Sequence, residues 1–358
     1  MIDVDLALQR ALLEGVSRTF ALTIPALPGQ LEVAVGNAYL LCRITDTIED
    51  AAALNAAEAR SFCARFAQVV EGHADEVAFA RDLAKRLAPH ASAAERRLID
   101  AVPSVLAVTR SLGEARRAAL ADCVAVMAHG MGVFQARKNP DGLADLAEHA
   151  RYCYVVAGCV GEMLTRLFVE ELPDLAARRA ELMRLAVSFG QCLQMTNILK
   201  DFWEDRAQGA CWLPRDVFEA EGVQLARVQP GDPGFARGYR RLVGLARAHA
   251  ENALVYALAI PPRAKGVRNF CLWALYMALL TQRKLLARPA FSSGGEVKIR
   301  RTAVYTVVGA CRLAAGSDRT LRAGFALLTR GMPQARPEDV ATEAEPRVEA
   351  PTEIGRAA

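Results

Sequence analysis

Aromatic residues are scarce in this 358-residue sequence, 6% of the chain against 53% hydrophobic residues in all, so its core is aliphatic. With Ala and Leu abundant and no persuasive strand pattern, an all-α fold is expected and a Rossmann domain is excluded. Neither G-x-x-x-x-G-K-[ST] nor H-E-x-x-H occurs. The 44 basic and 40 acidic residues leave a net charge of +4, too even a balance for a nucleic-acid partner. The nine cysteines are scattered, odd in number and without a C-x-x-C pair. They read as reduced core residues of a cytoplasmic protein, not as disulfides or zinc ligands. The opening residues lack the basic and apolar regions of a signal peptide. The most apolar late stretch, 302–315, is broken by Arg312 and falls short of the roughly 20 residues of a bilayer span. No transmembrane helix is therefore expected, and any membrane contact would be peripheral, at the inner face.

What the sequence does contain is a pair of D-x-x-E-D runs. Asp46, Glu49 and Asp50 close one uncharged apolar segment, 33–42 onward, and Asp201, Glu204 and Asp205 close another, 185–199. Positions three and four apart share a helix face, so each run is one carboxylate cluster. The same arithmetic puts Tyr39, Arg43, Asp46 and Asp50 on one stripe, and Gln194, Asn197, Asp201 and Asp205 on another. Polar stripes on otherwise uncharged helices belong in an interior cavity. Carboxylates crowded there repel and would protonate unless a cation joins them. Oxygen-only ligands at this density suit Mg²⁺, which keeps waters and phosphate oxygens in its shell. Two Mg²⁺-loaded clusters facing each other would hold a diphosphate.

Helical periodicity is expected over 3–16, 57–72, 75–88, 93–112, 114–137, 178–205, 238–259, 263–288 and 298–331. His129 reads as a packed histidine. Small residues at Ala157, Gly158 and Gly161 thin a helix wall, either for an apolar chain to pass or for tight helix packing. Residues 206–237 read as an irregular loop that follows the second cluster and could act as its lid. One domain is expected over 1–332, and 333–358, rich in Pro, Glu and Ala, reads as a disordered tail.

Taken in order, Ser17-Arg18-Thr19-Phe20, Tyr39 to Asp50, Tyr152-Cys153 with Val156 to Gly161, Gln194 to Asp205, Asn269-Phe270-Cys271 and Val297-Lys298-Ile299-Arg300 resemble the squalene and phytoene synthases. The last two pieces are similar to the squalene synthases among them. The resemblance implies a single-domain isoprenoid synthase bundle around a central cavity, and head-to-head prenyl transfer between two farnesyl diphosphates, followed by NADPH-dependent reduction. Enzymes that stop at presqualene diphosphate, hydroxysqualene, dehydrosqualene or phytoene are the alternatives, and a prenyl-binding scaffold without turnover is the non-enzymatic one.

By the same resemblance, Asp46, Glu49, Asp50, Asp201, Glu204 and Asp205 hold diphosphate through Mg²⁺, and Tyr152 takes part in proton removal. Ser17, Arg18, Phe20, Tyr39, Arg43, Gln194, Asn197 and Lys200 line the substrate site. Lys298 and Arg300, cations for phosphate oxygens, belong with Asn269 and Phe270 on the NADPH side. Three departures from the family pattern stand out: Lys200 in place of Arg, Tyr154-Val155 after Cys153, and Ala274-Leu275 near the region tied to reduction.

Overall fold

Pro28 caps the first long helix and fixes where it begins, and a computed structural model describes residues 3–343 apart from 52, 88 and 90. The N-terminal half runs α1 (Asp3–Val16), α2 (Arg18–Thr23), α3 (Gly29–Glu49), α4 (Ala56–Glu71), α5 (Glu76–Leu87), α6 (Ala93–Asp100), α7 (Val102–Ser111) and α8 (Glu114–Gln135). Next come α9 (Leu146–Cys153), a π-helical turn (Tyr154–Gly158), α10 (Cys159–Glu171), α11 (Arg179–Ala207) and α12 (Arg215–Glu219). The remainder is α13 (Pro233–Ala259), α14 (Lys265–Ala287), α15 (Gly294–Val297), α16 (Arg301–Ala314), α17 (Asp318–Thr329) and α18 (Pro337–Glu343). Among the described residues the one β contact is an isolated bridge between Leu143 and Pro214. The fold class is all-α, as expected.

Element boundaries follow from capping and proline. Ser17 caps α2, its Oγ accepting from the Phe20 N–H at 3.0 Å. Asn55 with Glu58 and Ser92 with Glu95 form capping boxes at α4 and α6. The helix expected over 93–112 is two, because Pro103 has no N–H to continue α6 and instead sits in the first turn of α7. The helix expected over 298–331 divides for a similar reason: Ser317 caps a new start, its Oγ accepting from the Thr320 N–H. Within 206–237, expected to be irregular throughout, α12 forms and α13 already begins at Pro233, capped by Asp232. Here Pro233 starts a helix, and its neighbour Gly234 is glycine because a Cβ would lie 2.6 Å from the Glu221 carbonyl oxygen.

Two further expectations are corrected. His129 is exposed, not packed. The tail does not begin at 333: α18 docks on the body, where the buried Asp339 carboxylate accepts from Arg241 Nε at 2.9 Å and Nη2 at 2.6 Å. A bidentate pair of this kind anchors a segment whose composition alone looks unstructured. Residues 344–358 lie outside the described ones.

Helix α11 packs against α9, α10, α13, α14 and α15, and the core is one contiguous cluster around it. Its approach to the preceding hairpin is close enough to exclude side chains on both sides. A Cβ on Gly190 would lie 2.3 Å from the Ala157 carbonyl oxygen, and one on Gly161 2.3 Å from that of Ala186. Helix α3 reaches α10 from another side, leaving a cavity between α3 and α11. Two helical stretches, Glu114–Gln135 and Leu146–Glu171, are long and apolar enough to cross a bilayer. About half of each lies buried, 56% and 50%, as in helices that serve a protein core.

Candidate active site

The cavity, about 280 Å³, is lined by α2, α3, α10, α11 and α14. Its apolar wall holds an aromatic cluster: Phe20 lies 4.9 Å from Tyr39 and 6.5 Å from Phe270, and Phe270 lies 6.2 Å from Phe168. Val156, Val160, Leu164 and Leu193 complete an aliphatic surface of the kind that would exclude water from a long hydrocarbon. The π-helical turn carries Val156 and Ala157 into this wall, and Gly161 follows one turn on. Tight helix packing is the reading the structure bears out, since Gly161 permits the close contact with α11, and Gly161 also lines the cavity.

Tyr39, Asp46, Gln194 and Asn197 also line the cavity, so part of each polar stripe faces it from α3 and α11, whereas Arg43, Asp50, Asp201 and Asp205 are not among its lining residues. Burial pushes the Asp46 carboxyl up to about 7, with Asp50 adding to the effect and Arg43 opposing it. Glu49 is pushed to about 8 by burial, then by Asp50 and Asp46. Asp50 is raised by burial against the pull of Arg43 and Lys138. On the other side, burial raises Asp205 to about 7, and Asp201, Asp50 and Glu204 raise it further. Asp50 being among the charges that raise Asp205, the C-terminal end of α3 lies near that of α11.

Cations stand around this acidic ring. Arg43 donates from Nη2 to Glu95 Oε1 at 3.2 Å, while its Nε is buried without a partner. A buried, unpaired guanidinium N–H beside carboxylates suits an anionic oxygen that arrives with the ligand. Lys200 pairs with Asp201. Gly294 donates its backbone N–H to Glu204 Oε1 at 2.8 Å, which brings the 292–300 segment against the second cluster.

The donor set fits Mg²⁺: carboxylate oxygens only, crowded and raised in pKa, with an orphaned cationic N–H beside them. Among the described residues no three His, Cys, Asp or Glu side chains converge tightly enough to cage an ion by themselves.

Tyr152, at the end of α9, is buried between Trp212 and Phe134. The Trp212 ring stacks on it at 4.3 Å and 9°, and Phe134 meets it edge-on at 5.1 Å. Burial and the charges of Glu49, Asp205 and Asp50 hold its hydroxyl well above the usual phenol range, so it stays protonated. His149 Nδ1 lies 2.9 Å from the Trp212 carbonyl oxygen, tying the 206–237 segment to α9. Cys211, Trp212 and Leu213 are buried, so this part of the segment is a wall of the site.

The four residues assigned to the NADPH side lie on two parts of the chain, Asn269 and Phe270 on α14 and Lys298 and Arg300 flanking α15 and α16. Phe270 lines the cavity, whereas Asn269, its neighbour on α14, is buried with its Oδ1 unpartnered. Lys298 and Arg300 are exposed beyond the 292–296 turn. The Arg18 side chain lies outside the described residues, while Ser17 caps α2 at Phe20, whose ring lies beside Tyr39. The sequence reading missed Gln135 and Lys138 beside Glu49, Glu95 behind Arg43, and Trp212 and Phe134 around Tyr152.

The squalene/phytoene synthase family model matches residues 13–303. The chain belongs to this family. It is similar to a probable squalene synthase of Neurospora crassa, 29% identical over 324 residues, covering 87% of this chain and 61% of that protein. It is similar also to the squalene synthase of Rattus norvegicus, 29% identical over 299 residues, covering 83% of this chain and 67% of the relative. The chain thus spans roughly 61% to 67% of the length of these relatives. Among solved structures, TcSQS with the ligand BPH1237 superposes with a TM-score of 0.74 at 24% identity, over 96% of this chain and 97% of that one. That likeness is one of fold. The family match takes in both acidic clusters and Tyr152 and ends at residue 303, just inside α16.

Proposed function

We propose that this chain is a squalene synthase: it joins two farnesyl diphosphates head to head through presqualene diphosphate and, with NADPH as reductant, delivers squalene. The observation that supports the reading most is that Asp46 of α3 and Gln194 and Asn197 of α11 line one largely apolar cavity, with the rest of both acidic runs following on the same two helices. Such a pair of runs makes sense around a polyanion brought in with divalent cations.

Asp46, Glu49 and Asp50 on α3, with Asp201, Glu204 and Asp205 on α11, would hold Mg²⁺ at the cavity's polar side. Bound there, Mg²⁺ supplies neutralisation of the charge that grows on a diphosphate as its C–O bond breaks. Arg43, through its free Nε–H, and Lys200 orient the diphosphate oxygens. Phe20, Phe168, Phe270 and the valines of α10 keep water from the allylic cation, so that the double bond of the second prenyl chain attacks it. Formation of presqualene diphosphate releases one diphosphate and one proton. The Tyr152 hydroxyl, protonated and clamped by Trp212, relays that proton toward the released diphosphate. Gln194 and Asn197 face the reacting ends from α11. No step is assigned to the nicotinamide.

Diphosphate release from farnesyl diphosphate tests the reading. It should require Mg²⁺ and fall about 10²-fold or more in either Asp46→Asn or Asp201→Asn. Release that survives both substitutions would remove the two-cluster site, and absence of any release would favour the scaffold.

A further inference from the structure

Helices α16 and α17 lie side by side against α14 and carry the most conspicuous surface of the molecule. Their inner positions, Val307, Val308 and Cys311 on α16 and Leu321 and Phe325 on α17, are buried. Tyr276 donates its hydroxyl to the Leu321 carbonyl oxygen at 2.6 Å, Arg283 donates to that of Leu328 at 2.9 Å, and Arg312 lies over the Trp273 ring. The opposite stripes face away from α14. They hold the three most exposed large apolar side chains among the described residues: Leu313 at 91%, Leu327 at 69% and Tyr305 at 66%.

The charge here is one-sided. From Val297 to Pro337 the sequence has eight cations and one anion, a net +7 in a chain whose total is +4. The single anion, Asp318, is paired with the buried Arg268. Arg301, Arg319, Arg322 and Arg330 are exposed and in no ion pair with a described residue. On α17 the spacing places Arg319, Arg322, Ala323, Ala326 and Leu327 on one outward stripe, and the exposed Arg330 follows at the helix end.

We propose that the α16–α17 face docks on an anionic phospholipid bilayer, its arginines at the headgroups and Leu313, Leu327 and Tyr305 in the interface. Leucines flanked by arginines match an interfacial helix, in which apolar burial and attraction to anionic lipid act together. A second copy of this chain fits the face poorly, since a twofold contact would set the same arginines against one another. The proposal does not depend on which product the cavity makes. It gives α14 a place between two apolar environments, with Phe270, Cys271 and Ala274 toward the cavity and Trp273 and Tyr276 toward α16 and α17.

Co-sedimentation of the full chain with extruded vesicles tests it. Binding is expected to phosphatidylcholine vesicles containing phosphatidylglycerol, to weaken with salt, and to be slight on phosphatidylcholine alone. The double variant Arg319→Ala, Arg322→Ala should lower partitioning about 30-fold, about fivefold for each cation near the surface. Leu313→Asp with Leu327→Asp should abolish binding even at low salt. These positions are exposed, so both variants should melt at the wild-type temperature and release diphosphate at the wild-type rate. Equal partitioning of variants and wild type, or no wild-type binding to anionic vesicles, would overturn the proposal. So would a wild-type dimer that the leucine pair converts to monomer, which would assign the face to a second copy.

Discussion

Replacing Asp46 by Asn should make the metal-free protein more stable while stopping its reaction. The carboxyl sits at a folded-state value of about 7 against an ordinary 3.8, so the folded chain holds its proton more tightly than the unfolded chain. A carboxyl raised in this way costs nothing below pH 4, an increasing amount as pH climbs from 4 to 7, and its full amount above 7. The displacement from 3.8 to about 7 corresponds to about 4 kcal/mol, and screening by water in the cavity leaves about 2 kcal/mol. For a chain of 358 residues, whose unfolding entropy is roughly 0.75 kcal/mol per kelvin, this raises Tm by about 3 °C. Thermal melts in EDTA should therefore show Asp46→Asn about 3 °C above wild type at pH 8 and level with it at pH 4. With Mg²⁺ and inorganic pyrophosphate the order should reverse at pH 8, because only the wild type gains from the ligand. An Asn variant less stable than wild type in EDTA at pH 8, or an equal difference at both pH values, would refute the crowding of uncompensated charge.

Other consequences can be checked with single variants. Tyr152→Phe should keep the stack on Trp212 and the wild-type Tm yet lower presqualene diphosphate formation about 10²-fold, read by product chromatography. Trp212→Ala should cost about 3–5 kcal/mol in urea unfolding, since it opens a buried space beside Tyr152. Gly190→Ala should destabilise by about 3 kcal/mol or more, because its Cβ would meet the backbone of the π-helical turn at 2.3 Å. Asp339→Ala should cost about 3 kcal/mol by stranding Arg241, and α18 should become protease-sensitive; an unchanged melting profile would return 333–343 to the tail.

The two carboxylate stripes were legible in the sequence because helical spacing acts within one segment. Tyr39, Arg43 and Asp46, or Gln194, Asn197 and Asp201, need only an uncharged helix to be read as one face. What surrounds them was not legible, since Lys138, Glu95 and Trp212 come from elements that no local spacing connects to α3 or α9. Prolines misled in both directions: Pro103 divides an apparent helix, whereas Pro233 opens one that seemed to begin later. Composition hid the docking of α18, which packs on α9 and α13 and pairs bidentately with a partner nearly a hundred residues away in sequence. Asn269 and Phe270 were grouped by sequence resemblance, and of these neighbours α14 turns Phe270 toward the cavity and leaves Asn269 off it.

The central claim is that two acidic helices and an aliphatic cavity perform head-to-head condensation of farnesyl diphosphate. Product analysis with Mg²⁺, in parallel with and without NADPH, tests it most directly. The account predicts presqualene diphosphate without NADPH and squalene with it, both abolished by EDTA. Dehydrosqualene, hydroxysqualene or phytoene-type products regardless of NADPH, or turnover that persists in EDTA, would contradict it.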